Sequence, residues 1–256
     1  MANYDNQQAR YGARAGAVPA IDEGLRAHML RVYNYMAAGL AITGVSALVT
    51  AMLAISSTPT EFTLPNGVSL TTFGAALFGS PLQWVVILAP LAMVFFLSFR
   101  IQKMSVSGAQ TTFWVFALLM GISMSSIFLI YTSTSITQVF FISAAMFGAM
   151  SIWGYTTKRD LTKMGSFLFM GVIGLLVAMI VNIFLGSNAL GFAISVIGVG
   201  IFVGLTAYDT QKIKEMYDVN DDGSVAGRKA VMGALMLYFD LILIFQFMLS
   251  LFGNRQ

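Results

Sequence analysis

Seven runs of apolar residues follow one another along the chain. They cover roughly Val32 to Ile55, Leu82 to Phe99, Phe113 to Tyr131, Ile136 to Tyr155, Ser166 to Leu185, Leu190 to Tyr208 and Ala230 to Phe252. A bilayer core of ~30 Å is crossed by about 20 helical residues, so each run predicts a transmembrane helix. The expected fold is an all-α polytopic membrane protein with seven transmembrane helices. Connections are short except for Ser56 to Pro81 and the charged stretch Asp209 to Lys229, which leaves no room for a separate soluble domain. The first thirty residues are polar, with Arg10, Gly12, Arg14, Gly16 and Pro19, and lack the apolar core and cleavage site of a signal peptide. They read as a mobile cytoplasmic tail over residues 1–31, with Ile21 to Arg31 as a candidate interfacial helix. A transmembrane domain over 32–252 and a short tail over 253–256 complete the division.

Composition agrees with the pattern. Hydrophobic residues make up 57% of the chain and charged residues only 10%, and mean hydropathy is +0.79, outside the range of soluble domains of this size. With no Cys and one His, thiolate metal sites and His-built metal centres are excluded, and no resident cofactor is implied. The basic residues mark topology rather than nucleic-acid binding. Placing the N-terminus in the cytoplasm puts thirteen of the fourteen Lys and Arg on that side, with only Arg255 outside. The loops Ser56 to Pro81, Thr132 to Ser135 and Gly186 to Ala189 carry none. The chain is therefore expected in the cell membrane, the inner membrane if bacterial, with the N-terminus inside and the C-terminus outside. A six-span arrangement with Ala230 to Phe252 re-entrant would bring Arg255 inside too, and stays open at this point.

Candidate chemistry gathers on carboxylates. Asp240 lies mid-way along the last apolar run, where a charge costs about 2.5 to 3.5 kcal/mol on insertion scales. Its helical face, Gly233, Leu237, Ile244 and Phe247, is wholly apolar. Asp209 ends the sixth run at a similar depth, and two such carboxyls close together share a proton and titrate as a pair. That is the physics of a proton-sensitive switch. Arg100, ending the second run, is either a bidentate counter-charge for these carboxylates or a topology marker snorkelling to the interface. Small residues at Gly200, Gly204 and Gly233, with Gly198, Ala207, Gly171, Gly174 and Ala178, signal close helix packing. The seventeen Met are scattered and read as core filler. His28 reads as an interfacial residue.

The segments Gly204-Leu-Thr-Ala-Tyr-Asp-Thr-Gln-Lys-Ile-Lys214, Ala234-Leu-Met-Leu-Tyr-Phe-Asp240 and Gly148 to Asp160 (GAMSIWGYTTKRD) resemble the transmembrane Bax inhibitor motif family. The resemblance covers Arg26 to Arg255. It implies seven helices with the last one central, and in some members a pH-sensitive calcium leak controlled by two aspartates and an arginine latch. The matching positions are Asp209, Asp240 and Arg100, and the two aspartates are the implied weak, transient calcium contacts. The implied partners are the lipid bilayer and calcium as permeant ion. Other members are linked to a membrane-bound ATP-dependent protease, which implies a non-conducting regulator as the alternative. Two departures weaken a tight calcium site: Leu243 stands where many members have Asn, and Ala89 and Pro90 stand where some have Glu.

Two further readings are weaker. Paired membrane aspartates also occur in intramembrane aspartyl proteases. Those enzymes need Gly-x-Gly before the second aspartate, where this chain has Leu237, Tyr238 and Phe239, and a Pro-Ala-Leu loop that is absent. Asp218 to Gly223 matches half of an EF-hand loop, but Lys229 stands where the bidentate Glu belongs, so a solvated acidic turn is expected.

Overall fold

The computed structural model describes residues 2–64 and 67–255, with side chains described from Glu23 onward except at Ser98. Nine α-helices follow in chain order among them: α1 (Ala2–Ala54), α2 (Thr72–Gly79), α3 (Leu82–Arg100), α4 (Val106–Met124), α5 (Ile127–Ile130), α6 (Ser133–Thr156), α7 (Thr162–Leu185), α8 (Asn188–Glu215) and α9 (Gly223–Phe252). A 3-10 turn, Ile101–Lys103, follows α3. The described residues contain no strand, only isolated bridges such as Ile55 with Leu70.

Six stretches are long and apolar enough to cross a membrane: α1 from Glu23, α4 with α5, α6, α7, α8 and α9. The seventh passes only when α2 and α3 are taken together, bent by 65° at their junction. The expected tail, residues 1–31, falls largely on residues whose side chains lie outside those described. From Glu23 the chain is already continuous with the first span, so Ile21 to Arg31 is no separate helix.

Helix starts are written in side-chain caps. Thr71, Ser105, Thr132 and Ser187 each accept a backbone N–H from the first turn of α2, α4, α6 and α8. Asp222 does the same for α9, accepting from Ser224 N and Val225 N at 2.8 Å each. That cap lets α9 begin at Gly223, well before the apolar run, so the helix has 30 residues and is about 45 Å long. At the far end of α7, Gly186 turns the chain in the left-handed region at φ 58°, where a side chain is strained.

Helix α9 takes the centre of the bundle. It packs on α8, α1, α6 and α4, and 56% of its membrane window is buried, against 11% for α7, which leans on α8 alone of its larger neighbours. Around this core the bundle turns large apolar side chains outward. Phe184 is 85% exposed and Ile183 78%, an arrangement suited to lipid and not to water.

The last helix runs unbroken from one end of the bundle to the other. Thr132 N–H donates to Asn254 O at 3.0 Å, and Asn254 N–H donates to Ser135 Oγ at 2.9 Å. The Arg255 guanidinium lies 6.0 Å from the Tyr131 ring centre. Arg255 therefore sits beside the uncharged α5–α6 loop, at the end of the bundle opposite Lys229, and the re-entrant arrangement is set aside.

The packing glycines separate into two groups. Gly204 meets Leu168 of α7, Gly171 meets Ile201, Gly198 meets Phe247 of α9, and Gly233 meets Ile213. Gly200 is a correction: nothing lies within 4 Å of where its Cβ would stand, and the same holds for Gly174. Gly198 and Gly200 are about 200° apart around the helix, so when one faces α9 the other faces away. One close helix contact involves a glycine the small-residue pattern passed over. A Cβ on Gly154 of α6 would stand 2.2 Å from Ala207 O and 2.8 Å from its Cα on α8.

Gly154→Ala must push α6 and α8 apart, and the expected cost is about 1–3 kcal/mol. Thermal unfolding in detergent should show a clear drop for Gly154→Ala and none for Gly200→Ala, where the methyl meets nothing. Asp222 gives a pH-dependent counterpart. Its carboxyl is held below the usual carboxylate range by the Ser224 hydroxyl and the Val225 and Ser224 N–H groups. A depressed carboxyl contributes stability that is present above its unfolded value of about 3.9 and is lost as pH falls through the folded value. Asp222→Ala should remove that acid-side loss from a series of melting curves between pH 7 and 3.

Candidate functional site

Three antiparallel contacts fix the register of α8 on α9. Gly233 lies against Ile213, Phe247 against Gly198, and Ser195 Oγ donates to Ser250 Oγ at 3.0 Å. Interpolating between them sets Asp240 level with Leu205 and Thr206, about one turn or ~5 Å along the axis from Asp209. The structure thus brings the two predicted aspartates together on facing helices, where the Asp209 carboxyl acts electrostatically on Asp240 and the Lys212 ammonium on Asp209.

The two positions differ in burial. Asp240 is 3% exposed, and its Oδ2 has no hydrogen-bond partner among the described residues. Leu237, Leu241 and Ile244 beside it on α9 are equally buried. Asp209 is half-buried and lies one turn nearer the basic end of the bundle. Two residues before Asp240, Tyr238 is locked in place. Thr43 Oγ1 donates to Ala117 O at 2.8 Å, which uses its one proton, so the Tyr238 hydroxyl donates to Thr43 at 2.7 Å. The Tyr238 ring packs edge-on to Phe113 and Phe116.

Arg100 does not join the pair. It is exposed at the end of α3, which packs on α4 and α2, and no ion pair ties it to Asp209 or Asp240. The expected latch is corrected for this conformation. The neighbours of α3 hold the guanidinium at the bundle's edge, where it can reach the interface.

A hydroxyl chain runs beside Asp209. Thr210 Oγ1 donates to Thr206 O at 2.7 Å, so it accepts from Ser151 Oγ at 2.9 Å, which in turn accepts from Tyr33 at 2.6 Å. The next residue, Gln211, clamps the α6–α7 turn. Its Oε1 accepts Leu161 N–H and its Nε2 donates to Arg159 O, both at 2.8 Å. Lys214 Nζ donates to Tyr155 O at 3.0 Å. The segment Tyr208 to Lys214 and the segment Gly148 to Asp160 are thus each other's hydrogen-bond partners. Pattern reading singled out both stretches but could not pair them, because complementary donors and acceptors leave no periodic trace.

Both segments of that interlock are ones that carry the family resemblance. The family model described as "Inhibitor of apoptosis-promoting Bax1" matches residues 25–256. The chain belongs to this Bax inhibitor family. It is similar to an uncharacterized protein of Rickettsia prowazekii, 46% identical over 235 residues and 92% of each chain. It is similar to a Caulobacter vibrioides protein, 43% identical over the full length of both. The inner membrane protein YbhL of Escherichia coli is 43% identical over 235 residues, covering 91% of this chain and 94% of that one. As a Bax inhibitor family member, the protein is a multi-pass membrane protein.

The remaining candidates resolve as follows. His28, expected at the interface, is buried. Its ring centre lies 5.8 Å from that of Tyr217, and its Nε2 has no partner among the described residues. The EF-hand-like stretch is an acidic turn that serves the fold: Asp218 Oδ1 accepts Asn220 N–H, Asp222 caps α9, and Asp221 pairs with Lys229 at 2.5 Å. No group of three or more His, Cys, Asp or Glu that could hold a metal ion occurs among the described residues. Any cation at Asp209 and Asp240 would meet two carboxylates and no third such ligand.

Gln211→Ala removes both clamping bonds and leaves the buried Leu161 N–H without its partner. The expected loss is about 1–3 kcal/mol in a denaturant or thermal titration. An unchanged midpoint would show that the clamp contributes nothing.

Proposed function

We propose that this protein is a pH-sensitive cation leak pathway of the inner membrane, with calcium as the ion and with Asp209 and Asp240 as its gate. The observation that carries the reading is the pair itself: two carboxyls one turn apart on facing helices, the deeper one with a buried oxygen that no group among the described residues satisfies. Two carboxyls so placed cannot both hold charge at little cost, so they bind a proton between them and titrate as one unit. Gain or loss of that proton changes the repulsion between α8 and α9, which form the most extensive helix contact of the bundle. Calcium is a hard cation that takes oxygen ligands, and a leak needs only passing contacts with them.

Two features support a closed resting arrangement. Phe247 lies on the Asp240 face of α9, seven residues further on, and stacks on Phe202 with ring centres 5.9 Å apart. Beyond this plug, Gln246, Ser250, Ser195 and Asn182 line a crevice of about 390 Å³ toward the end of the bundle opposite Lys229. An ion leaving Asp240 would meet the aromatic pair before it met polar side chains. Arg100 stands outside this arrangement. The N-in, C-out orientation belongs to the same reading and rests on the basic loops together with the position of Arg255.

The test is calcium flux into liposomes carrying the purified protein, measured from pH 6 to 8. Wild type should show flux that changes with pH, and Asp240→Asn and Asp209→Asn should each flatten that dependence. Flux that is absent, or that keeps its pH profile in both variants, would sink the reading.

A further inference from the structure

Between α1 and α6, away from the carboxylate pair, lies a groove of about 620 Å³ open at the side of the bundle. Its floor is Met29, Phe147 and Ser151, all buried, and its walls are Leu30 and Ile152, 52% and 68% exposed. The apolar part runs alongside both helices for about two turns, from Arg26 to Tyr33 on α1, or about 10 Å. Arg26 stands at one end, exposed, with no hydrogen bond or ion pair among the described residues. It lies on the basic side of the bundle, where Lys158 and Arg159 follow α6 directly and Arg31 sits one turn along α1. Asp22 and Glu23 in the preceding turn are the nearest acidic residues in sequence.

We propose that this groove binds one anionic phospholipid of the leaflet on the basic side, its phosphate on Arg26 and an acyl chain along Leu30, Phe147 and Ile152. Three observations select that occupant. The groove opens sideways, through walls whose exposed surface is apolar, so whatever enters comes from the bilayer and not from water. One end of it is cationic, and a guanidinium meets a phosphate through two parallel hydrogen bonds. The rest of it is largely apolar, with no buried side-chain polar atom lacking a partner that would call for a head group there: of its three hydroxyl residues, Ser151 and Tyr33 bond to each other and onward to Thr210, and Tyr155 adds no buried unpartnered atom. Basic pockets between transmembrane helices on the cytoplasmic side suit anionic head groups for the same reasons. A zwitterionic lipid also carries a phosphate, but its ammonium would face Arg26 and the neighbouring Lys158 and Arg159.

The groove also contains its own probe. Gly148 of α6 lines it, and nothing lies within 4 Å of where a Cβ would stand. Gly148→Trp therefore fills the groove without striking the bundle, whereas Gly148→Ala leaves room for a chain. The experiment is native mass spectrometry of the purified full-length protein in detergent, titrated with phosphatidylglycerol or phosphatidylcholine of matched chains. Wild type and Gly148→Ala should retain one phosphatidylglycerol in preference to phosphatidylcholine. Arg26→Gln, an exposed change that leaves the core untouched, should lower that preference about fivefold. Gly148→Trp should remove the retained lipid altogether while keeping the wild-type melting temperature. Equal retention of the two lipids by wild type, or a preference that survives Arg26→Gln intact, would overturn the proposal.

Discussion

A carboxylate carried to the middle of a bilayer has to be enclosed by protein, because lipid tails supply neither hydrogen bonds nor counter-charge. The position of Asp240 therefore dictates the position of α9, and α9 dictates the bundle. The helix is covered by α8, α1, α6 and α4, which leaves α3 and α7 at the periphery with their large apolar side chains turned to lipid. Close approach of α8 is possible because Gly198 and Gly233 give way where Phe247 and Ile213 press in. The same approach carries Asp209 to within a turn of Asp240. A pair of interacting carboxyls is then a geometric consequence of burying one of them against the helix that bears the other.

The polar side chains of the basic half follow a second rule, that hydroxyl and amide groups inside a membrane bundle must find partners within it. Tyr33, Ser151 and Thr210 pass a hydrogen bond from α1 through α6 to a backbone carbonyl of α8. Gln211 and Lys214 then hold the end of α6 and the turn after it. These bonds tie α6 rigidly to the segment that carries Asp209. Movement at the carboxylate pair would be transmitted along α8 to this interlock more readily than to α3, which shares no such bonds with it.

Hydropathy made the helices legible, since each apolar run falls on a helix or, for the third, on α4 and α5 together, although four helices extend seven or more residues past the expected limits, and the central place of the last one followed from the resemblance. Arg255, the one basic residue that the charge pattern set apart from the rest, lies at the end of the bundle opposite Lys229. What escaped the pattern depended on rotation and on partners. Gly200 and Gly198 are two residues apart and indistinguishable by type, yet only one faces a neighbour, because the helical angle between them is set by which face α9 takes. The Gly154 contact needs a second chain segment, Ala207, to have meaning. The second run matches α3, but α2, which the pattern left inside the Ser56 to Pro81 connection, joins it across Ser80 and Pro81 in a bent pair. Arg100 was legible as a charge at a membrane end, while its distance from the aspartates depended on which helices α3 packs against.

The chemistry open to the carboxylate pair is limited by what surrounds it. Asp240 is level with Thr206, whose hydroxyl donates to Phe202 O at 2.8 Å and keeps its lone pairs, while Thr210 one turn away donates to Thr206 O and accepts from Ser151. Leu243, three residues after Asp240, offers no oxygen where an Asn would. On the proposed reading, a cation arriving between α8 and α9 would therefore replace few of its water ligands with protein oxygens beyond the two carboxylates themselves. Calcium asks for six to eight oxygens, so it would be bound loosely and released readily. Loose binding is what conduction requires, since an ion held by a complete shell does not leave. The substitution of Leu for Asn at 243 thus argues against a storage or sensing site for calcium, and is compatible with passage.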